Sequence, residues 1–225
     1  MTTTILDFEV ARRHMVDKQL LARGIRDPLV LAAMGKVPRE KFVSAGQVDL
    51  AYMDGALPIG EEQTISQPYI VAVMAEALAL ARTDRVLEIG TGSGYSAAVL
   101  GELAGEVYTV ERIAALGERA RRCLAALGHR NVHVLVGDGT HGWPEHAPYD
   151  AIVATAGAPR IPKALLEQLA IGGRLVIPLG PGPFDQTLVR ITRAAVNEYR
   201  RRDLEAVAFV PLIGAEAWPE RSIGQ

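Results

Sequence analysis

The stretch Val86-Leu87-Glu88-Ile89-Gly90-Thr91-Gly92-Ser93-Gly94-Tyr95 decides the fold. A short apolar run, Val86 to Ile89, breaks into glycines at positions 90, 92 and 94. Helical spacing follows through Ala97, Ala98, Val99, Leu100 and Leu103. Strand, glycine turn and helix are the opening of a nucleotide-binding βαβ unit. Glycines suit such a turn because a ligand can lie against bare backbone where any Cβ would hold it off. The helix behind turns its free N–H groups toward that ligand. A turn that binds nothing is the bland alternative, but it rarely needs three glycines when each costs conformational entropy.

The spacing separates two ligand classes. A dinucleotide fingerprint counted from Gly90 and Gly92 requires Gly or Ala where Tyr95 stands. The shifted match Gly92-x-Gly94-x-x-Ala97 leaves Gly90 unexplained as the turn glycine. An acidic residue followed by alternating glycines, Glu88-x-Gly90-x-Gly92-x-Gly94, instead resembles motif I of class I S-adenosylmethionine-dependent methyltransferases.

Outward from the turn, Val107 to Val110 reads as the next strand, closed by Glu111. An acid about twenty residues past the first glycine is placed to accept from ribose hydroxyls, whichever adenosine ligand is present. An ion pair with Arg112 is its structural alternative. The helix from Ile113 to Leu127 stops at Gly128 and turns Leu116, Ala120, Cys123 and Leu124 to one side, so Cys123 reads as a small core residue. Val132 to Val136 is a third strand ending in Gly137-Asp138-Gly139, where Asp138 could accept from an adenine amino group or simply shape a turn. Tyr149 to Ala154 is a fourth, followed by Thr155. A helix from Ile161-Pro162 to Ala170 leads to a fifth strand, Arg174 to Leu179. Alternation of this kind predicts a doubly wound parallel α/β sheet with its ligand beyond the strands' carboxyl ends, where Gly90, Glu111, Asp138 and Thr155 all fall. Gln186 to Arg193 and Ala206 to Leu212 predict two terminal strands at the sheet edge, at least one antiparallel, around a bend at Asn197-Glu198.

Ahead of the turn, residues 9 to 23 predict a helix stopped by Gly24. Asp27-Pro28 supplies a cap and a first-turn proline for a second helix. A loop-rich region containing Val37-Pro38-Arg39-Glu40-Lys41-Phe42-Val43 and Pro58-Ile59-Gly60 has the look of a cover. Ser66 precedes a proline-started helix with Ile70, Val71, Met74, Ala77 and Leu78 inward, so capping is its ordinary reading. Next to a ligand it could also hold a substrate carboxylate. The division expected is a cover over residues 1–80 that contributes to the substrate site and a donor-binding α/β domain over 81–225.

Composition narrows the class. The chain has 225 residues, 49% hydrophobic, with a formal charge of −2, which disfavours a dedicated nucleic-acid surface. One cysteine excludes an internal disulfide. His14, His129, His133, His141 and His146 lack metal-ligand spacing, and no metal is expected. Apolar runs are too short to cross a bilayer, and the N-terminus lacks basic and apolar leader regions, so cytoplasm is the expectation.

Beyond single motifs, nearly the whole chain resembles the protein-L-isoaspartate (D-aspartate) O-methyltransferase family. The resemblance rests on Gln63-Thr64-Ile65-Ser66-Gln67-Pro68-Tyr69, Val86 to Tyr95, Val110-Glu111-Arg112, Gly137-Asp138-Gly139, Tyr149 to Val153 and Phe209-Val210-Pro211-Leu212. It implies a seven-stranded, mostly parallel sheet with an unusual strand order at one edge. The cofactor implied is S-adenosyl-L-methionine, leaving as S-adenosyl-L-homocysteine and held by Glu88, Gly90, Thr91, Gly92, Gly94, Glu111, Arg112, Asp138, Gly139 and Thr155. Ser66 matches the family's active-site serine. Ile65, Ser66, Val210, Leu212 and Ile213 would hold the substrate, an isoaspartyl residue in a damaged protein or peptide, and a monomer is expected. Methylation of its free α-carboxylate would start repair through a succinimide. Thr140-His141, Ile213 and the proline-rich loop Gly180 to Phe184 depart from the family pattern and bear on substrate preference. The competing readings are a relative that methylates aspartate side chains in a dedicated peptide, a nicotinamide-dependent oxidoreductase, and a non-catalytic nucleotide-binding module.

Overall fold

In the computed structural model, which describes residues 7–182 and 185–220, the glycine turn lies at the middle of a seven-stranded sheet. Before the sheet come α1 (Phe8–His14), α2 (Pro28–Lys36), a hairpin of β1 (Leu57–Gly60) and β2 (Gln63–Ile65), and α3 (Pro68–Leu78). The sheet strands are β3 (Arg85–Ile89), β4 (Glu106–Glu111), β5 (Val132–Val136), β6 (Tyr149–Ala154), β7 (Leu169–Gly182), β8 (Asp185–Ala195) and β9 (Glu198–Val207). Helices α4 (Tyr95–Leu103), α5 (Ala114–Ala126) and α6 (Lys163–Gln168) connect them. The order is β5-β4-β3-β6-β7-β8-β9. Pairing is parallel from β5 through β7 and antiparallel at β8 and β9.

Central position explains the apolar run: Val86 and Leu87 are fully buried and Ile89 nearly so, because helices cover both faces of a parallel sheet. From β3 the chain steps to β4 and β5 on one side, then crosses to β6 on the other. That reversal opens a crevice at the carboxyl ends of β3 and β6.

The N-terminal helix is less regular than its spacing predicts. α1 gives way to a π turn over Met15–Leu20 and a 3₁₀ turn over Leu21–Arg23, ended by Gly24 at φ 105°. Residues five apart lie ~140° around an α-helix, but i→i+5 bonding brings them close to one face. Met15 and Leu20 thereby both become fully buried, while Val10 and Leu21 stay exposed. Asp27 caps α2 as expected, accepting from the Leu29 N–H at 2.8 Å.

The cover contains a hairpin the sequence concealed. Its two turn residues, Glu61 and Glu62, take φ of 53° and 56°, a conformation usually signalled by Asn-Gly. At the other end, both terminal strands are antiparallel, but the second is not Ala206 to Leu212. It is β9, whose residues 198–203 are all exposed and so carry no apolar alternation. Phe209 to Leu212 leaves the sheet and runs beside Gly157, whose N–H donates to the Val210 carbonyl at 2.8 Å and whose carbonyl accepts from Leu212 N–H at 2.8 Å. α6 is shorter than expected and β7 starts at Leu169, with a register shift before Arg174. Cys123 is partly buried at the edge of the core, its thiol facing the Lys41 carbonyl at 3.4 Å. Among the described residues no helix is long and apolar enough to cross a membrane. Pro183 and Phe184 of the proline-rich loop, and the first six residues of the N-terminus, lie outside the described residues.

Candidate active site

A cavity of about 580 Å³ opens at the crevice between β3 and β6. One side is the glycine turn with Tyr95 and Ser96, flanked by Val110 to Ile113, Gly139 and Thr155. The facing side is Glu62 to Ser66 from the hairpin and Val210 to Ile213 from the tail, which returns through Trp218, Pro219 and Glu220. Cover, sheet and tail each contribute a wall. Of the residues the sequence singles out, Ile65, Ser66, Gly90, Thr91, Gly92, Glu111, Arg112, Gly139, Thr155, Val210, Leu212 and Ile213 border this space. Glu88, Gly94 and Asp138 do not.

The glycines are needed for three different reasons. All have positive φ, at 96°, 54° and 90° for Gly90, Gly92 and Gly94. A Cβ on Gly90 would collide with Thr155 Oγ1, whose hydroxyl donates to the carbonyls of Gly90 at 2.6 Å and Ile89 at 3.1 Å. A Cβ on Gly94 would press on Ala120 at 3.2 Å, so this glycine serves helix packing and not the ligand. Only Gly92 fits the expectation of bare backbone facing a ligand: its missing side chain would meet nothing nearer than Ile59 Cδ1 at 3.5 Å.

Glu111 makes no ion pair with Arg112, which reaches Glu220 at 3.0 Å instead. Its carboxylate joins β4 to the turn, accepting from the N–H of Gly92 at 2.7 Å and of Ile113 at 2.9 Å. One lone pair per oxygen remains for a ligand. Asp138 is engaged elsewhere. One oxygen accepts from both the N–H and the hydroxyl of Thr140 at 2.8 Å, and the other from the Ala215 N–H at 2.8 Å. Burial would raise its pKa, but the Ala215 and Thr140 hydrogen bonds outweigh burial and hold it below the usual range. Asp138 therefore ties the tail to the end of β5, and Gly139 borders the cavity in its place. Gly214 has no room for a side chain beside that carboxylate.

Glu88 lies behind the turn, fully buried. Thr109 Oγ1 donates to one of its oxygens at 2.7 Å and touches Thr91 Oγ1 at 2.6 Å, while the other oxygen has no partner. With Glu88 ionised, Thr109 spends its proton on it, so Thr91 donates to Thr109. Burial raises the Glu88 pKa to about 7, against the opposing Thr109 bond. A folded-state pKa above the unfolded one means that stability falls as pH rises from about 4.5 to 7 and stays lowered above that. The fall amounts to about 3 kcal/mol at most. Glu88→Gln should therefore melt higher than the parent at pH 8.5, by the equivalent of about 1–2 kcal/mol once its unpaired amide is counted. The gap should close by pH 5. Equal pH dependence of the two melting curves would contradict this assignment.

Ser66 is not a helix cap. The N-cap of α3 is Gln67, and Pro68 follows at the first helical position. Ser66 stands one residue too early to reach the N–H groups a cap serves. Sequence reading missed Gln186 altogether. This buried side chain accepts from the Phe209 N–H at 2.9 Å and donates to the Phe209 carbonyl at 3.1 Å, holding the tail against β8. A Cβ on Gly157 would collide with it. Its only sequence signal is a polar residue on an apolar strand face. Gln186→Leu leaves both Phe209 groups unpaired and should cost about 2 kcal/mol in urea unfolding; an unchanged midpoint would show that the amide is dispensable. Among the described residues no His, Cys, Asp or Glu cluster could hold a metal ion.

A doubly wound sheet with an open glycine turn, an acid at the end of the next strand and a cavity at the switch point defines an α/β fold built for an adenosine ligand, and the fold matches that of class I S-adenosylmethionine-dependent methyltransferases. Residues 11–217 match the family model described as protein-L-isoaspartate(D-aspartate) O-methyltransferase (PCMT). The chain belongs to that family. It is similar to protein-L-isoaspartate O-methyltransferase 1 of Geotalea uraniireducens, at 63% identity over 92% of this chain and 94% of the relative. It is also similar to protein-L-isoaspartate O-methyltransferase 2 of Pelobacter propionicus, at 60% identity over 93% of each. A solved protein-L-isoaspartate O-methyltransferase superposes with a TM-score of 0.83 at 30% identity, over 92% of this chain and 67% of that one. A Plasmodium falciparum structure in complex with S-adenosyl-L-homocysteine shares the fold, with a TM-score of 0.76 at 24% identity over 90% and 98% of the two chains.

Proposed function

We propose that this protein transfers a methyl group from S-adenosyl-L-methionine to the free α-carboxylate of L-isoaspartyl residues in damaged proteins and peptides. The observation that carries this reading is a single cavity bordered at once by Gly92 and Glu111 and by Ser66 and Val210 to Ile213. One end suits an adenosine donor and the other an extended peptide.

The residues present fit the donor. Gly92 offers bare backbone, Glu111 keeps free lone pairs for ribose hydroxyls, and Thr91 borders the same space. Gly90, Gly139, Thr155 and Arg112 complete that end, whereas Glu88, Gly94 and Asp138 act by holding its parts in place. When bound, the donor supplies a methyl group already activated on a positive sulfur and leaves as S-adenosyl-L-homocysteine. An α-carboxylate is ionised at neutral pH, so no side chain has to remove a proton. What the chain must supply is alignment. In this reading the Ser66 hydroxyl donates to the accepting carboxylate. Ile65, Leu212 and Ile213 enclose the isoaspartyl residue, and the backbone of Val210 to Ile213 holds the flanking peptide extended. The neighbouring backbone amide nitrogen then attacks the ester carbonyl and expels methanol, closing a succinimide without help from the protein.

Methyl transfer from labelled donor to matched isoaspartyl and aspartyl peptides tests the reading. Labelling confined to the isoaspartyl peptide supports it. Equal labelling of the aspartyl peptide would replace it with the side-chain-methylating alternative. We further propose that the chain works as a cytoplasmic monomer without nucleic acid, supported by its single cysteine and its formal charge of −2. Elution as a dimer in size-exclusion chromatography would correct the oligomeric part.

A further inference from the structure

The stretch Val37 to Val43 touches no part of the cavity, yet it contains a buried cation. Arg39 is fully buried. Its Nε donates to the Ala51 carbonyl at 2.7 Å, while both terminal nitrogens lack a hydrogen-bond partner. Among the described residues it makes no ion pair. Its guanidinium lies against the ring of Tyr95, 4.8 Å from the centroid. Phe42, from the same stretch, meets that ring edge-on at 5.7 Å and 65°. Met34 Sδ lies 3.7 Å from the Tyr95 hydroxyl. Tyr95 is the first residue of α4, directly after the glycine turn; it is 1% exposed and borders the cavity. Its N–H faces Ser93 Oγ at 3.3 Å, inside the turn.

A buried cation without a carboxylate is a poor stabilising device, and an apolar side chain of similar volume usually does better. Arg39 remains cationic at neutral pH although burial lowers its pKa to about 10. A desolvated cation on an aromatic face, in contrast, is a strong and directional contact.

We infer that Arg39 is a positioning residue for the donor end of the cavity, acting through the face of Tyr95 to hold the glycine turn in its binding geometry. The same contact explains why a tyrosine stands where a dinucleotide fingerprint wants a small residue: the ring is the handle by which the cover grips the turn. This inference rests on the reading of the cavity as a donor site.

Isothermal titration with S-adenosyl-L-homocysteine, together with thermal melting, tests it. Wild-type protein that fails to bind would refute the donor-site reading itself, independently of Arg39. Given wild-type binding, Arg39→Met should weaken it roughly tenfold, because a turn no longer held through Tyr95 has to be ordered by the ligand. Its melting midpoint should be equal or higher, and the KM for an isoaspartyl peptide unchanged. In a Tyr95→Leu background the same substitution should change affinity by less than about twofold, because the ring that transmits its effect is gone. Arg39→Lys keeps the charge without the plane and should bind several-fold more weakly, which serves as the readout if Arg39→Met does not fold. Wild-type affinity in whichever of these variants folds, or fully additive effects of Arg39→Met and Tyr95→Leu, would overturn the inference.

Discussion

Gly90→Ala should cost about 2–5 kcal/mol of stability and abolish measurable binding of S-adenosyl-L-homocysteine at micromolar concentration. Two effects add. Alanine at a φ of 96° is strained by about 1–2 kcal/mol. Its Cβ also overlaps Thr155 Oγ1, and overpacking of this kind costs about 1–3 kcal/mol. Relief requires Thr155 to abandon the carbonyls of Ile89 and Gly90, which bind the ends of β3 and β6 beside the cavity. The double variant Gly90→Ala/Thr155→Ala separates the parts. Without the hydroxyl the collision disappears, and urea unfolding should show partial recovery, with the backbone strain and the lost Thr155 hydrogen bonds left. A double variant no more stable than the single one would show that the overlap is not the cause.

Ser66→Ala should lower kcat/KM on an isoaspartyl peptide roughly 10- to 100-fold, the range for losing one hydrogen bond to a charged acceptor. Its affinity for S-adenosyl-L-homocysteine and its melting midpoint should not move. The second expectation follows from the geometry at α3: Gln67 occupies the cap position, so Ser66 has no helix to stabilise. Loss of a true cap would instead cost about 1 kcal/mol. Wild-type turnover by Ser66→Ala would remove the residue from the mechanism. A lower midpoint with normal turnover would return it to a structural role.

The contrast between these two positions shows where sequence stops being informative. Gly90 and Ser66 both stood out by their neighbours along the chain. For Gly90 that was enough to locate the turn but not to explain it, because the atom it makes room for belongs to Thr155. Glycine at 94 reads identically and serves packing on Ala120 and Leu124. Asp138 lay at the predicted strand end, yet its carboxylate accepts from Thr140 and from the tail at Ala215 and does not border the cavity. Gln186 gave only a weak local signal and Arg39 none, since a polar residue in an alternating strand or a loop looks ordinary until its burial is known.

What the chain's order alone determined was the parallel α/β architecture, the glycine turn and its donor class, and the segments that border the site. These depend on local periodicity, on residues that favour particular backbone angles, and on motifs contiguous in sequence. Only the tertiary structure decided which groups face the cavity, how the tail after Val207 leaves the sheet to flank Gly157, and how Arg39 meets Tyr95. Those outcomes depend on burial and on partners remote along the chain, so no window of sequence contains them.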